Sequence, residues 1–259
     1  MNRLPFVKAH GAGNDFILID NRHYVFPLGN SSLIEHLCHR RFGIGADGLI
    51  LVQQSMKADY RMVYFNADGK EADLCGNGLR CFVVFVCELG DRRESLTIET
   101  KSGLIECKRN GQRITSRFPE PQILRRSFPL ALSGGIRETF LVFSGVPHAV
   151  IFSDELEEED LQSLGREVRN HPAFFPAGVN VNLIDCEEAT VRIRTYERGV
   201  EAETFACGTA ALAAAKVVST LRKLERVVIH PRSQEALEVN IRNWELTGSA
   251  QLVFKGTIL

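Results

Sequence analysis

The tripeptide Cys-Gly-polar occurs twice, as Cys75-Gly76-Asn77 and Cys207-Gly208-Thr209, about half a chain apart. Each opens an apolar, helix-forming run, LRCFVVFVCEL over 79–89 and AALAAAKVVSTL over 210–221. Each also follows an acidic, turn-rich stretch, NADGKEADL over 66–74 and ERGVEAETFA over 197–206. What repeats is therefore a half-chain: strand, polar turn, cysteine, buried helix, strands. No array with a period of 20–50 residues is present. A chain of 259 residues can form two domains of ordinary size. The duplication predicts an α+β protein of two pseudo-symmetric domains with the active site in the cleft between them.

The rest of the chain reads the same way. PFVKAHGAGNDFILID (5–20) is two β segments broken by a Gly-Ala-Gly-Asn turn. A helix is expected over 32–42, with Ser31 or Ser32 as N-cap. Strands follow over 41–54 and 59–69, then the helix after Cys75, then β segments near 95–108 and 112–118. Three prolines and two glycines mark PEPQILRRSFPLALSGG (119–135) as a linker. That places one domain at 1–120, to which a strand near 250–259 can return, and the other at 121–249. The second half gives strands at 138–145 and 146–152, an acidic helix over 153–170, strands at 179–186 and 190–199, and the helix after Cys207.

Composition excludes several classes. With 44% hydrophobic and 24% charged residues the chain is that of a soluble globular protein, and a net charge of −1 gives no reason to expect nucleic acid or an anionic membrane as partner. The apolar runs are too short or interrupted to span a bilayer, and MNRLPFVKAHG lacks the apolar core of a secretory signal. Seven cysteines without an export signal fit a reducing cytoplasm, where free thiols are the default. No P-loop, dinucleotide fingerprint, CxxC pair or zinc-ligand spacing accompanies them, so neither a metal nor a cofactor is expected.

Cys38, Cys81, Cys87, Cys107 and Cys186 lie in apolar or amphipathic segments and read as small packed hydrophobes. Cys75 and Cys207 differ. Each stands at a helix start, where unpaired N–H groups and the positive end of the helix dipole favour a thiolate. The amides of Gly76, Asn77, Gly208 and Thr209 could take a substrate carboxylate at two helix ends, which would stabilise charge developing at the adjoining Cα. Tyr196-Glu197-Arg198-Gly199 offers a carboxylate for an ammonium group and a guanidinium for a second carboxylate, although a surface ion pair is the simpler account. Asn14, Asn66 and Asn180 suit turns as well as binding. Pro147-His148 follows a strand, and a histidine near a cysteine could tune its ionisation or move a proton.

Five segments, in order, resemble diaminopimelate epimerase: HGAGNDFILID (10–20), FGIGADGLILV (42–52), YFNADGKEADLCGNGLRCF (64–82), FPAGVNVN (175–182) and YERGVEAETFACGTAA (196–211). The resemblance implies a pyridoxal-independent epimerase that converts LL- to meso-2,6-diaminopimelate for lysine and peptidoglycan synthesis. It implies two similar domains, each a curled, mainly antiparallel, barrel-like sheet around a central helix. It also implies a cytoplasmic homodimer whose partner is a small-molecule substrate. By similarity Cys207 is the base and Cys75 the acid when LL substrate is consumed. Gly76, Asn77, Gly208 and Thr209 match the carboxylate-binding turns, and Asn14, Asn66, Asn180, Glu197 and Arg198 match substrate-binding positions. His148 and Glu197 match residues that tune the cysteines.

Three features depart from the pattern. Val146 stands where an asparagine is common, Gly48 where a glutamine is common, and the stretch from Arg198 to Cys207 is one residue longer. They leave an alternative open, a broader amino-acid racemase on the same fold. A proline racemase-like or phenazine-biosynthesis-like isomerase and a non-catalytic amino-acid binding module are the other readings, and the retained thiols weigh against the last.

Overall fold

The computed structural model describes residues 3–259. The chain forms two compact units. The first runs to Arg117 and takes back Gly248–Leu259, and the second is Phe118–Thr247. In the first unit the paired strands run in the order Gln251–Ile258, Leu4–Gly11, Asn14–Asp20, Gly48–Gln53, Tyr60–Asn66, Ser95–Thr100, Gly103–Asn110 and Arg113–Arg117. In the second the order is Gln122–Leu132, Gly135–Phe143, Pro147–Phe152, Asn180–Glu187, Thr190–Glu197, Arg226–His230, Leu237–Asn240 and Glu245–Ser249.

The two orders carry the same pattern of directions. Third and fourth strands pair parallel, fifth and sixth pair parallel, and all other neighbours are antiparallel. A parallel pair needs a crossover, and a helix supplies each one. These are α1 (Ser31–Cys38) and α2 (Gly76–Glu88) in the first unit, and α3 (Leu161–Arg169) and α4 (Gly208–Arg222) in the second. A short strand before the second crossover, Glu71–Ala72 or Ala202–Thr204, turns the chain back along the fifth strand before the cysteine. The half-chain repeat in the sequence is thus a repeat of topology.

The first strand of each order comes from chain that has just left the last strand of the other. Arg113–Arg117 leads into Gln122–Leu132, and Glu245–Ser249 leads into Gln251–Ile258. The expected linker over 119–135 is accordingly mostly strand. Pro129 fits there because the strand stands first in its order, where a missing N–H breaks no second ladder. Gly135, at φ 115°, closes the hairpin to Gly135–Phe143. Two helices are also shorter than their sequence patterns. Asn30, not Ser31 or Ser32, caps α1 by accepting from the Leu33 N–H, and the helix stops at Cys38 because His39 turns extended. Asp160 caps α3 through the Ser163 N–H, so 153–160 forms turns instead of helix.

Each unit closes around one helix. Residues of α2 from Asn77 to Val83 and from Phe85 to Cys87 are buried. The helix touches strands from Gln251–Ile258 at one end of the order to Arg113–Arg117 at the other. An apolar surface on nearly every side of 79–89 is what a helix ringed by sheet requires. The second central helix, α4, solves the same problem with small residues. Ala210, Ala211 and Ala213–Ala215 are buried among Phe140, Val142, Val150, Ile184 and Ile193 of the surrounding strands and Trp244 of a turn. Each large apolar side chain so buried contributes about 1.5–3 kcal/mol. Both central helices begin at the cysteine, so the packing that holds the helix also aims the thiol. Among the described residues no helix is long and apolar enough to cross a membrane.

Candidate active site

Cys75 and Cys207 are the N-caps of α2 and α4, with φ/ψ of −126°/118° and −129°/118°. Both side chains are half-buried, at the end of a helix where backbone N–H groups lack intrahelical partners. The two thiols differ in their neighbours. Cys75 Sγ accepts from the Gly78 N–H at 3.4 Å and donates to Asn14 Oδ1 at 3.4 Å. That Asn14 oxygen also accepts from Asn77 Nδ2 at 3.3 Å, while Asn14 Nδ2 donates to Asp47 Oδ2 at 2.6 Å. Asn14 therefore presents an acceptor to the sulfur, which suits the protonated thiol. Cys207 Sγ lies 3.3 Å from Thr209 Oγ1, a hydroxyl able to donate to a thiolate.

Around Asn14 the support is ionic. Asp47 receives Arg40 Nη2 at 2.6 Å, and Asp15 receives Arg40 at 2.8 Å and Lys8 at 2.7 Å. Burial would raise the Asp15 pKa, but the bonds and charges of Arg40 and Lys8 outweigh it and hold the carboxyl down at about 2. Lys8, itself buried, also donates to the Gly45 carbonyl. On the helix side Arg80 is 1% exposed. Its guanidinium donates to Asn77 Oδ1 at 2.7 Å, to the Ser249 carbonyl at 3.1 Å and to the Gly76 carbonyl at 3.4 Å. Gly11 lies against this turn so closely that a Cβ there would stand 2.9 Å from the Asn77 carbonyl oxygen.

Asn66 ends its strand, is exposed and accepts at Oδ1 from the Tyr64 hydroxyl at 2.7 Å. Gly48, where the resemblance leads to a glutamine, sits opposite Asn66 in the register, and the Tyr64 ring fills the space beside it.

In the second unit a buried polar chain runs behind the Glu197-Arg198 turn. Thr195 Oγ1 donates to Asn182 Oδ1 at 3.1 Å, and Asn182 Nδ2 donates to the Ala149 carbonyl and to His148 Nδ1, each at 3.0 Å. Asn180 Nδ2 lies 3.4 Å from His148 Nε2, and Asn180 Oδ1 accepts from the Arg198 N–H at 2.8 Å. Burial, which outweighs the Asn182 contact, pushes the His148 pKa down to about 3, so the ring is neutral. Beyond the turn, Thr204 Oγ1 donates to Glu197 Oε1, and Arg198 Nη1 donates to the Ala177 carbonyl at 3.0 Å. Ser144 Oγ ties its own tight turn, which includes Gly145 at φ 96° and Val146, to the Thr209 carbonyl at 2.8 Å.

Sequence-derived candidates thus fall into two sets. Cys75, Gly76, Asn77 and Asn14 share one bonded network, with Asn66 at the end of a strand in the same unit. His148, Asn180 and Arg198 share another, with Cys207, Gly208, Thr209 and Glu197 on flanking elements. The structure adds Tyr64, Arg80, Asp47, Asn182 and Thr195. Two of these left a trace in the sequence. Arg80 is the one charge early in the apolar run 79–87, and Asn180 and Asn182, two apart in a strand, face the same side.

The family model described as diaminopimelate epimerase matches residues 6–124 and 140–253. A diaminopimelate epimerase of Archaeoglobus fulgidus is 37% identical over 99% of this chain and 96% of its own. One of Flavobacterium psychrophilum is 37% identical over 98% of this chain and 100% of its own. Among solved structures, a phenazine biosynthesis protein of the PhzF family from Bacillus anthracis superposes with TM-score 0.77 at 17% identity, covering 100% of both chains. A hydroxyproline epimerase from Agrobacterium vitis gives 0.75 at 16% identity, over 100% of this chain and 91% of the other. At such identities these two structures bear on the fold alone.

Proposed function

This chain belongs to the diaminopimelate epimerase family, and from that premise we propose that its LL-to-meso epimerisation of 2,6-diaminopimelate runs through Cys75 and Cys207 as an acid–base pair. The observation that supports this reading most is the duplication. Two cysteines cap the central helices of two units of identical topology, with matching backbone angles. Inverting a stereocentre by proton transfer needs removal on one face of the carbon and return on the other, hence two groups of opposite protonation state. The neighbours supply that asymmetry. Thr209 can donate to a Cys207 thiolate, whereas Asn14 accepts from a protonated Cys75.

In the LL-to-meso direction the Cys207 thiolate takes the α-proton and becomes a thiol, leaving the electron pair on Cα and its carboxylate. The Cys75 thiol gives its proton to the opposite face and becomes the thiolate. The reverse reaction exchanges the roles, so the pair holds one proton between them and titrates as a unit. The N–H groups at Gly76 and Asn77 and at Gly208 and Thr209 bind the carboxylate at helix N-termini, where the negative charge that builds in the transition state is favoured. Asn14, Asn66, Asn180, Glu197 and Arg198 hold the remaining ammonium and carboxylate groups. His148, a neutral ring, serves this reading by position: it backs Asn180, which fixes the Arg198 backbone. A homodimer and a cytoplasmic location extend the proposal, and sedimentation at enzyme concentrations of the assay tests the first.

The decisive experiment follows solvent deuterium into Cα of LL-diaminopimelate. Wild type should incorporate it, and Cys75→Ala and Cys207→Ala should each lose epimerisation. Continued exchange in the double variant would sink the two-thiol mechanism.

A further inference from the structure

Gly48 stands directly across the strand pair from Asn66, and the space a side chain would need at this glycine is already taken. A Cβ built there would lie 2.5 Å from the Phe65 carbonyl oxygen, 2.6 Å from Tyr64 Cε2 and 3.3 Å from the Tyr64 hydroxyl oxygen. Tyr64 and Asn66 are two apart on one strand and so project from the same face. The ring of Tyr64 leans diagonally across Gly48, a reach that cross-strand geometry allows to a long aromatic side chain. Phe16, which is fully buried and pairs with Gly48 on the other side, meets the ring edge-on with centroids 5.9 Å apart at 76°. Tyr64 is therefore anchored by packing, and its hydroxyl donates to Asn66 Oδ1 at 2.7 Å.

A primary amide has two faces of opposite character. Turned one way it offers an oxygen to an ammonium group, and turned the other it offers N–H donors to a carboxylate. On the exposed end of a strand nothing intrinsic chooses between them. The Tyr64 hydroxyl occupies the oxygen, so the Nδ2 hydrogens are the part of Asn66 left to meet a ligand. We propose that Tyr64 is a positioning residue that, across the gap at Gly48, locks Asn66 with its N–H donors outward and so sets it to bind a substrate carboxylate. The proposal rests on the epimerase reading, in which Asn66 is a substrate contact, and it goes further by naming the residue that orients that amide. The glycine is part of the device, because any larger residue at 48 would displace the ring.

Steady-state kinetics on LL-diaminopimelate with the full chain test it, using Tyr64→Phe, Asn66→Ala and the double variant. Phenylalanine keeps the ring against Phe16, so the thermal midpoint should be unchanged. KM should rise about tenfold with kcat nearly constant, the signature of a lost binding contact that does not take part in the chemistry. In the Asn66→Ala background the Tyr64→Phe change should leave KM where Asn66→Ala alone puts it, since the proposed effect on KM runs through that amide. Unchanged KM in Tyr64→Phe, or an equal effect in the Asn66→Ala background, overturns the proposal while leaving the epimerase reading intact. A wild type without turnover of LL-diaminopimelate overturns both.

Discussion

Asn182 donates its side-chain amide to His148 Nδ1 across 3.0 Å, with the ring wholly buried. The ring thus meets an amide nitrogen at each of its own nitrogens, Asn182 Nδ2 at Nδ1 and Asn180 Nδ2 at Nε2 across 3.4 Å, and two NH2 groups suit an uncharged imidazole and not an imidazolium. Its folded pKa of about 3 lies below the ordinary 6.5, so the unfolded chain binds the extra proton first as pH falls. The histidine's share of stability is complete above about pH 6.5 and is lost between there and pH 3. Wild type should therefore lose stability relative to His148→Gln by up to about 1.4 kcal/mol per pH unit across that window. Urea unfolding at a series of pH values reads this directly, and parallel curves for the two proteins would refute it.

Arg80 ties the turn after Cys75 to the Ser249 carbonyl, in the stretch Gly248–Leu259 that its unit takes back. Replacing it with methionine keeps the apolar stem but leaves Asn77 Oδ1 and that carbonyl short of a donor in a buried place. The expected cost is about 1.5–3 kcal/mol for each hydrogen bond to the guanidinium that is lost. Activity should fall along with stability because Asn77 loses its orientation. Denaturant midpoints and KM measured on the same preparation check both parts.

Burial divides the seven thiols. It pushes Cys38 up to about 12 and Cys107 up to about 11, and it raises Cys87 and Cys186. Cys81 is fully buried. Since the thiolate is the reactive form, brief iodoacetamide treatment of the native protein at pH 8 should mark Cys75 and Cys207 first and leave Cys38, Cys81 and Cys107 untouched. Peptide mapping by mass spectrometry identifies the labelled sites, and early labelling of Cys107 would contradict this assignment.

Thr209 is the hydroxyl beside Cys207. Thr209→Val keeps the shape and removes the donor, so epimerisation should slow about tenfold or more, the value of one hydrogen bond to a charged group. Thr209→Ser should restore most of the rate. Equal rates in the valine and serine variants would show that the hydroxyl is not used.

Much of this protein could be read from its residues, and the reasons are local. A Cys-Gly step before an apolar run has one good conformation, an extended cap followed by a helix, and both copies adopt it. Duplication of that step within duplicated strand patterns predicted two like units. The segment 119–135 misled because proline and glycine content reports turn chemistry and is blind to position in a sheet. An outermost strand tolerates Pro129 where an inner one would not.

What the sequence by itself determined is the pair of capped thiols, the two-unit plan and the family, because each depends on residues close together in the chain or on their order. Only the tertiary structure decided what surrounds them: that Tyr64 fills the space at Gly48, that Arg80 reaches Ser249, and that His148 is neutral. Those facts depend on burial and on contacts between residues as many as 169 positions apart, and no pattern along the chain encodes the distance between two side chains that meet only after the sheet has closed around its helix.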